Sequence, residues 1–272
     1  MVELVLQGIR PEPLAGYLKA MALLRILGEQ VDAGSTGAWR GDCFVIRSPM
    51  GEAELVHFFM EKWAPSPMLS PWNGSSGFGG DGAQEGIQAI RTSTDDRFAT
   101  WRQAIDVAER LALASAEAVK AKRINAEGAK RALALQLRSE LPDSALAWMD
   151  ASFVLTADGR RFPPLLGTGG NIGRLELANN QMQRIAELLL DPAGRLDAPG
   201  RLRGALFGEP AKLVRDLSIG QYDPGHAGGS NTGFGFDRDS LINPWDFVLA
   251  LEGTLTFASA ATRVLEHDAA RA

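Results

Sequence analysis

A single cysteine, Cys43, stands in 272 residues. One thiol cannot build an internal disulfide framework or a cysteine-cluster metal site. Histidine is scarce too, with only His57, His226 and His267. The sequence has no G-x-x-x-x-G-K-[ST], which disfavours P-loop nucleotide chemistry. No run reaches the roughly 18–20 apolar residues of a membrane span. The longest, 249–261, is broken by Glu252 and by glycine, threonine and serine. The start, MVELVLQGIRPEPL, shows no basic region followed by a long apolar one, so no signal peptide is expected. A reducing cytoplasm is the expected location. Excess positive charge is also missing: the net charge is −5 and the pI about 5.4. Free-standing nucleic-acid binders are usually basic, so any such contact is expected to be local and inside a larger assembly.

What is present is the material of a folded protein, 45% hydrophobic and 22% charged. Val2 to Leu6 reads as a strand. Pro11 and Pro13 lead into a helix from Leu14 to Gln30, with Leu14, Leu18, Met21, Ala22 and Leu24 as its apolar face. The stretch 32–41 reads as a turn-rich break, and 43–47 as a strand. Leu55, Phe58, Phe59 and Trp63 fall at i, i+3, i+4 and i+8 and mark a helix over 52–63. The stretch 64–86 reads as a long loop. Strong helix formers fill 95–139, where Lys120, Lys122, Arg123, Lys130, Arg131 and Arg138 outnumber Glu117 and Glu127. A strand at 152–156, a turn at 157–160 and a helix over 175–190 follow. The stretch 192–208 reads as loop plus a short helix. Asn243, with Pro244 behind it, caps a last helix to about His267. The expected fold is α+β, mixed helices with a small, mostly antiparallel sheet and long glycine-rich loops. One module over 1–272 is expected, divisible into subdomains 1–90 and 140–272 joined by a helical segment 95–139.

Three glycine-rich segments carry amides and aromatics: Trp72-Asn73-Gly74 with Phe78, Gly167 to Arg174, and Ser230 to Phe236. Taken singly, each is explained by tight turns, amide caps and packing. Gly77 to Gly82 spells G-x-G-x-x-G, but it follows Pro-Trp-Asn-Gly rather than a strand, so the dinucleotide reading fails. His57, beside a core aromatic, and His267, near a helix end, read as structural. A Ser/His/Asp set can be drawn from Ser230, His226 and Asp223, but such a triad is defined by geometry and not by sequence proximity. Asp237 and Asp239 read as loop solvation rather than as metal ligands. Taken together, the segments suit a polynucleotide. Glycine admits phosphate to backbone N–H groups. Asn and Gln suit base edges and 2′-hydroxyls. An exposed tryptophan stacks on bases. Arg160, Arg161, Arg174 and Arg184 can pair with phosphates.

GIRPEPLAGYLKAMALLR (8–25), PWNGSSGF (71–78), DASFVLTADGRRFPPLLGTGGNIGRLELANNQMQR (150–184) and FDRDSLINPWDFVLALEG (236–253) resemble, in order, the large subunit of the type I-G CRISPR effector complex, formerly type I-U. The resemblance implies a non-enzymatic subunit of an RNA-guided, Cascade-type surveillance complex without cofactors or metal. It implies contact with the 5′ handle of the guide RNA and inspection of the protospacer-adjacent motif in target DNA. It also implies help in strand opening and transient recruitment of a helicase-nuclease. The partners implied are guide RNA, target DNA, the CRISPR backbone subunits and the handle-binding or processing subunit, with no membrane. Family members are usually longer, so 272 residues are expected to correspond to an N-terminal portion, a split gene product or a trimmed form. The family pattern commonly has an acidic residue at Ile172 and an aromatic at Gln181. The nucleic-acid-facing residues expected here are Trp72, Asn73, Gly74, Arg160, Arg161, Gly169, Gly170, Asn171, Arg174, Asn179, Asn180, Gln183, Arg184 and Asn231. The alternatives are a hydrolase using the 221–239 loop and a purely structural bridging subunit.

Overall fold

A computed structural model describes residues 1–73, 76–78, 84–120, 126–156, 159–163, 165–166, 176–215, 222–225, 241–258, 262–263 and 270–271. The architecture is α+β. Contacts divide the chain into two units. One is Met1–Ala64 with Arg184–Thr256, and the other is Pro65–Gln183 with Phe257–Ala272. The division runs through 64, 184 and 256, and the first unit joins residues 1–64 to residues 184–256.

In the first unit, β1 (Val2–Leu6), β2 (Thr36–Arg40) and β3 (Cys43–Ser48) form an antiparallel sheet in the order β1-β3-β2. The strand β2 lies inside the stretch that reads as turns. Its sequence TGAWR carries little β signal, and pairing with β3 makes it a strand by tertiary context. Gly41, at φ 62°, opens the two-residue turn into β3.

Helix α1 (Leu14–Gln30) keeps its expected bounds, but its buried face differs. Leu18, Ala22, Leu23, Ile26 and Leu27 are fully buried, whereas Leu14 is 43% exposed and Met21 and Leu24 are half-buried. The helix is covered on more than one side, by α9 (Pro244–Thr254) and by the sheet. The outward stripe is left to Leu14, Tyr17, Met21 and Leu24. Each leucine or isoleucine so buried contributes about 1.5–3 kcal/mol. Helix α2 (Glu52–Glu61) buries Leu55, Phe58 and Phe59. Phe59, Trp63 and Trp245 form an aromatic cluster with ring centroids 5.4–5.8 Å apart.

Helix α8 (Pro192–Phe207) replaces the expected loop and short helix. Proline and glycine argued against it, yet the caps favour it. The Asp191 carboxylate accepts from the Gly194 N–H at 2.7 Å, Pro192 sits in the first turn, and Gly208 ends the helix at φ 75°. Helix α9 ends at Thr254, well before His267, in a tightened last turn with Leu255 N–H on the Glu252 carbonyl. Its cap is as expected: Asn243 Oδ1 accepts from Trp245 N–H at 3.1 Å, and Nδ2 donates to the Arg201 carbonyl at 2.6 Å. Asn243→Ala loses both bonds inside the core. A loss of about 2 kcal/mol in chemical denaturation is expected.

In the second unit, the helical region splits into α4 (Ala99–Lys120) and α5 (Ala126–Glu140), which pack together. Arg110 pairs with Glu140 across them. Helix α3 (Glu85–Thr92) packs on α4. Helix α6 (Asp143–Ser152) leads into the hairpin β4 (Val154–Thr156) and β5 (Gly159–Arg161). Helix α7 (Glu176–Ile185) then crosses from the second unit into the first, and a π-helical turn over Ala186–Leu190 follows it. Val214–Arg215 pairs with Leu241–Ile242 in the first unit, and Thr262–Arg263 with Ala270–Arg271 in the second. Among the described residues, no helix is long and apolar enough to cross a membrane.

Candidate nucleic-acid interface

The segment before Asn73 is pinned from beneath by two buried tryptophans. Trp101 Nε1 donates to the Pro65 carbonyl at 2.8 Å, and Trp148 Nε1 donates to the Leu69 carbonyl at 2.9 Å. Both donors are inside the core, where an unmade bond would cost about 1–3 kcal/mol. The aromatics of PWNGSSGF continue this anchoring. Trp72 is 4% exposed, with its ring edge-on to Phe153 at 4.8 Å, and Phe78 is 5% exposed. The expected stacking role of Trp72 is therefore corrected: its ring is consumed by packing and has no free face for a base. Asn73 is half-buried at a turn, its N–H on the Ser70 carbonyl at 2.9 Å.

The β4–β5 hairpin places Arg161 opposite Val154. Arg131 of α5 holds it by donating Nη1 to the Thr156 carbonyl at 2.8 Å, and Thr156 Oγ1 donates to the Gly159 carbonyl at 2.9 Å. Arg161 is half-buried, and its Nε is enclosed without an acceptor. Arg160 belongs to the same strand.

On α7 the carboxamides divide by helical period. Leu177, Ala178, Met182 and Ile185 face inward, and they take Asn179 and Gln181 with them, at 6% and 0% exposed. The Asn179 Oδ1 has no donor. Asn180, Gln183 and Arg184, at i, i+3 and i+4, share the half-exposed stripe. Within the second unit, Gly86 of α3 lets that helix approach closely: an added Cβ would lie 2.8 Å from Gln183 N. Arg184 is committed to Glu187 at 2.6 Å, and Arg201 holds the other oxygen of the same carboxylate at 2.7 Å. A phosphate at Arg184 would have to compete with that carboxylate.

Two expectations are thus corrected here, Trp72 as a stacking residue and Asn179 as a surface amide. The structure groups Asn180, Gln183 and Arg184 on one helix face. Gly74, Gly169, Gly170, Asn171, Arg174 and Asn231 lie outside the described residues, as do His226 and Ser230. Asp223 is half-buried, and His57 is exposed. Sequence reasoning passed over Tyr17 and Trp39, whose rings stack 6.2 Å apart at 18° on the first unit's surface. No local signal marked the pair, since Leu14, Met21 and Leu24, which share the stripe of Tyr17, read as the buried face.

No protein-family model matches the chain, and no curated protein is similar to it in sequence.

Proposed function

We propose that this chain is the non-catalytic large subunit of an RNA-guided type I CRISPR surveillance complex. In this reading it contacts the 5′ handle of the guide RNA, inspects the protospacer-adjacent motif of target DNA, stabilises strand opening and helps recruit a helicase-nuclease. The ordered resemblance of four motifs supports the reading. The observation that carries it is Arg161, a half-buried arginine on the hairpin that runs into LLGTGGNIGR. Guanidinium groups pair well with phosphate oxygens. Asn180 and Gln183 add donors and acceptors able to meet bases or 2′-hydroxyls. Net charge of −5 suits a subunit whose sister subunits supply most of the positive field.

The test is reconstitution with guide RNA and the sister subunits, followed by target-duplex binding across a salt series. Arg161→Ala is expected to weaken binding about tenfold and to lower the salt slope by about one. Unchanged affinity and slope would remove Arg161 from the interface and leave the reading without its physical support.

A further inference from the structure

Among the described residues, strand β2 is an open edge of the first unit's sheet, paired on one side only. Four of its five residues are exposed, and Trp39 is half-buried. Edge strands are normally blunted by proline, lysine, a bulge or a covering element. TGAWR carries no proline or lysine, and Arg40 is its only charge. The hydrogen-bonded pairs alternate away from the two-residue turn, beginning at Arg40↔Cys43. The alternation directs the N–H and C=O groups of Gly37 and Trp39 to the open side.

The two faces beside this edge differ in chemistry. On one face, Trp39 stacks on Tyr17 and tilts against Phe44 at 5.1 Å, and Leu14 lies exposed one helical turn before Tyr17. Gly37 leaves room there for the Phe44 ring, since an added Cβ would fall 3.0 Å from Phe44 Cε2. On the other face, two arginines share one carboxylate. Arg40 Nη1 is 2.8 Å from Glu3 Oε1, and Arg47 Nε is 3.4 Å from Oε2, with both arginines 64% exposed. Two guanidinium groups thus meet one shared carboxylate beside the edge.

We infer that β2 accepts an added strand from a partner protein, an extended segment with apolar residues on the Trp39 side alternating with acidic residues on the Arg40 side. Main-chain bonds to Gly37 and Trp39 supply the pairing. The aromatic patch takes the apolar side chains, and Arg40 and Arg47 take the carboxylates. The inference stands apart from the nucleic-acid reading and needs none of its residues.

The test uses the full chain and a fluorescein-labelled eight-residue peptide alternating valine and glutamate, read by anisotropy. Saturable binding is expected, weakened at least tenfold by Trp39→Ala and abolished when alternate peptide nitrogens are N-methylated. Arg40→Glu should reverse the preference, so that a valine–lysine peptide binds better than the valine–glutamate one. Circular dichroism confirms that each variant is folded. Equal binding of the methylated and unmethylated peptides would overturn strand addition. Equal binding of the acidic and basic peptides by the unmodified chain would overturn the charge assignment. Concentration-dependent dimerisation that Trp39→Ala abolishes and the peptide does not displace would show that a second copy fills the edge, and would overturn the partner proposed.

Discussion

Gly253→Ala should destabilise the first unit by about 3 kcal/mol or more, or prevent it from folding. Gly253 sits where α9 crosses α1, and an added Cβ would lie 2.7 Å from the Leu18 carbonyl carbon and nearer still to its oxygen. Both contacts are backbone atoms of a helix, so no side chain can rotate away. Relief requires α9 to move off α1, which opens the contact that buries Leu18, Leu23 and Val248. Overpacking of this kind typically costs about 1–3 kcal/mol even where side chains can yield. The control lies in α1 itself. An added Cβ at Gly28 meets nothing within 4 Å, so Gly28→Ala should stabilise by about 0.5–1 kcal/mol through helix propensity and reduced unfolded-state entropy. Equilibrium urea denaturation of the two variants should give opposite signs. Equal and small effects would mean that α1 and α9 do not pack this closely.

Lys19→Met should cost about 3–5 kcal/mol by the same measurement. Lys19 is 5% exposed, and its ammonium donates to the Gly8 carbonyl at 2.8 Å, the Ala205 carbonyl at 3.0 Å and Asp246 Oδ1 at 2.7 Å. Three donors meet three acceptors, one each from the turn after β1, from α8 and from the first turn of α9. Methionine keeps the length and the apolar stem but strands all three acceptors, and removing one partner of a buried charge pair is strongly destabilising. Asp246→Asn should cost less, because the lysine keeps both carbonyls and an amide oxygen can still accept. A loss under about 1 kcal/mol for Lys19→Met would show that water replaces the ammonium with ease.

The sequence revealed elements wherever a single local signal was strong. Helix α1 was legible in its propensity and length, and α9's start in Asn243-Pro244. Its end was not, because the apolar run to Ala261 hid the tightened turn at Leu255. Helix α8 was hidden by Pro192, Pro199 and Gly200, which read as breakers until the Asp191 and Gly208 caps are seen to bound them. Strand β2 was invisible because only its partner makes TGAWR extended. The candidate site was legible as residue types but not as exposure. The twenty-residue stretch 165–184 offered four carboxamide side chains on α7. Helical period separates Asn180 from Gln181, but Asn179 and Gln183, at i and i+4, share a face, and only the fold shows that Asn179 is enclosed and Gln183 half-buried. Trp72 required the fold, since nothing local distinguishes a tryptophan that stacks outward from one that meets Phe153.

The first unit's assembly from segments far apart in the chain, 1–64 and 184–256, has a consequence for biosynthesis. As the ribosome releases α1, its mate α9 is more than two hundred codons from being translated. Until then Leu18, Leu23 and Ile26 lack their permanent cover, and the nascent polypeptide carries a sticky amphiphile through most of its elongation. Chains arrested before Pro244 should accordingly be avid clients of ribosome-associated holdases, and release of that client should coincide with emergence of the final helix.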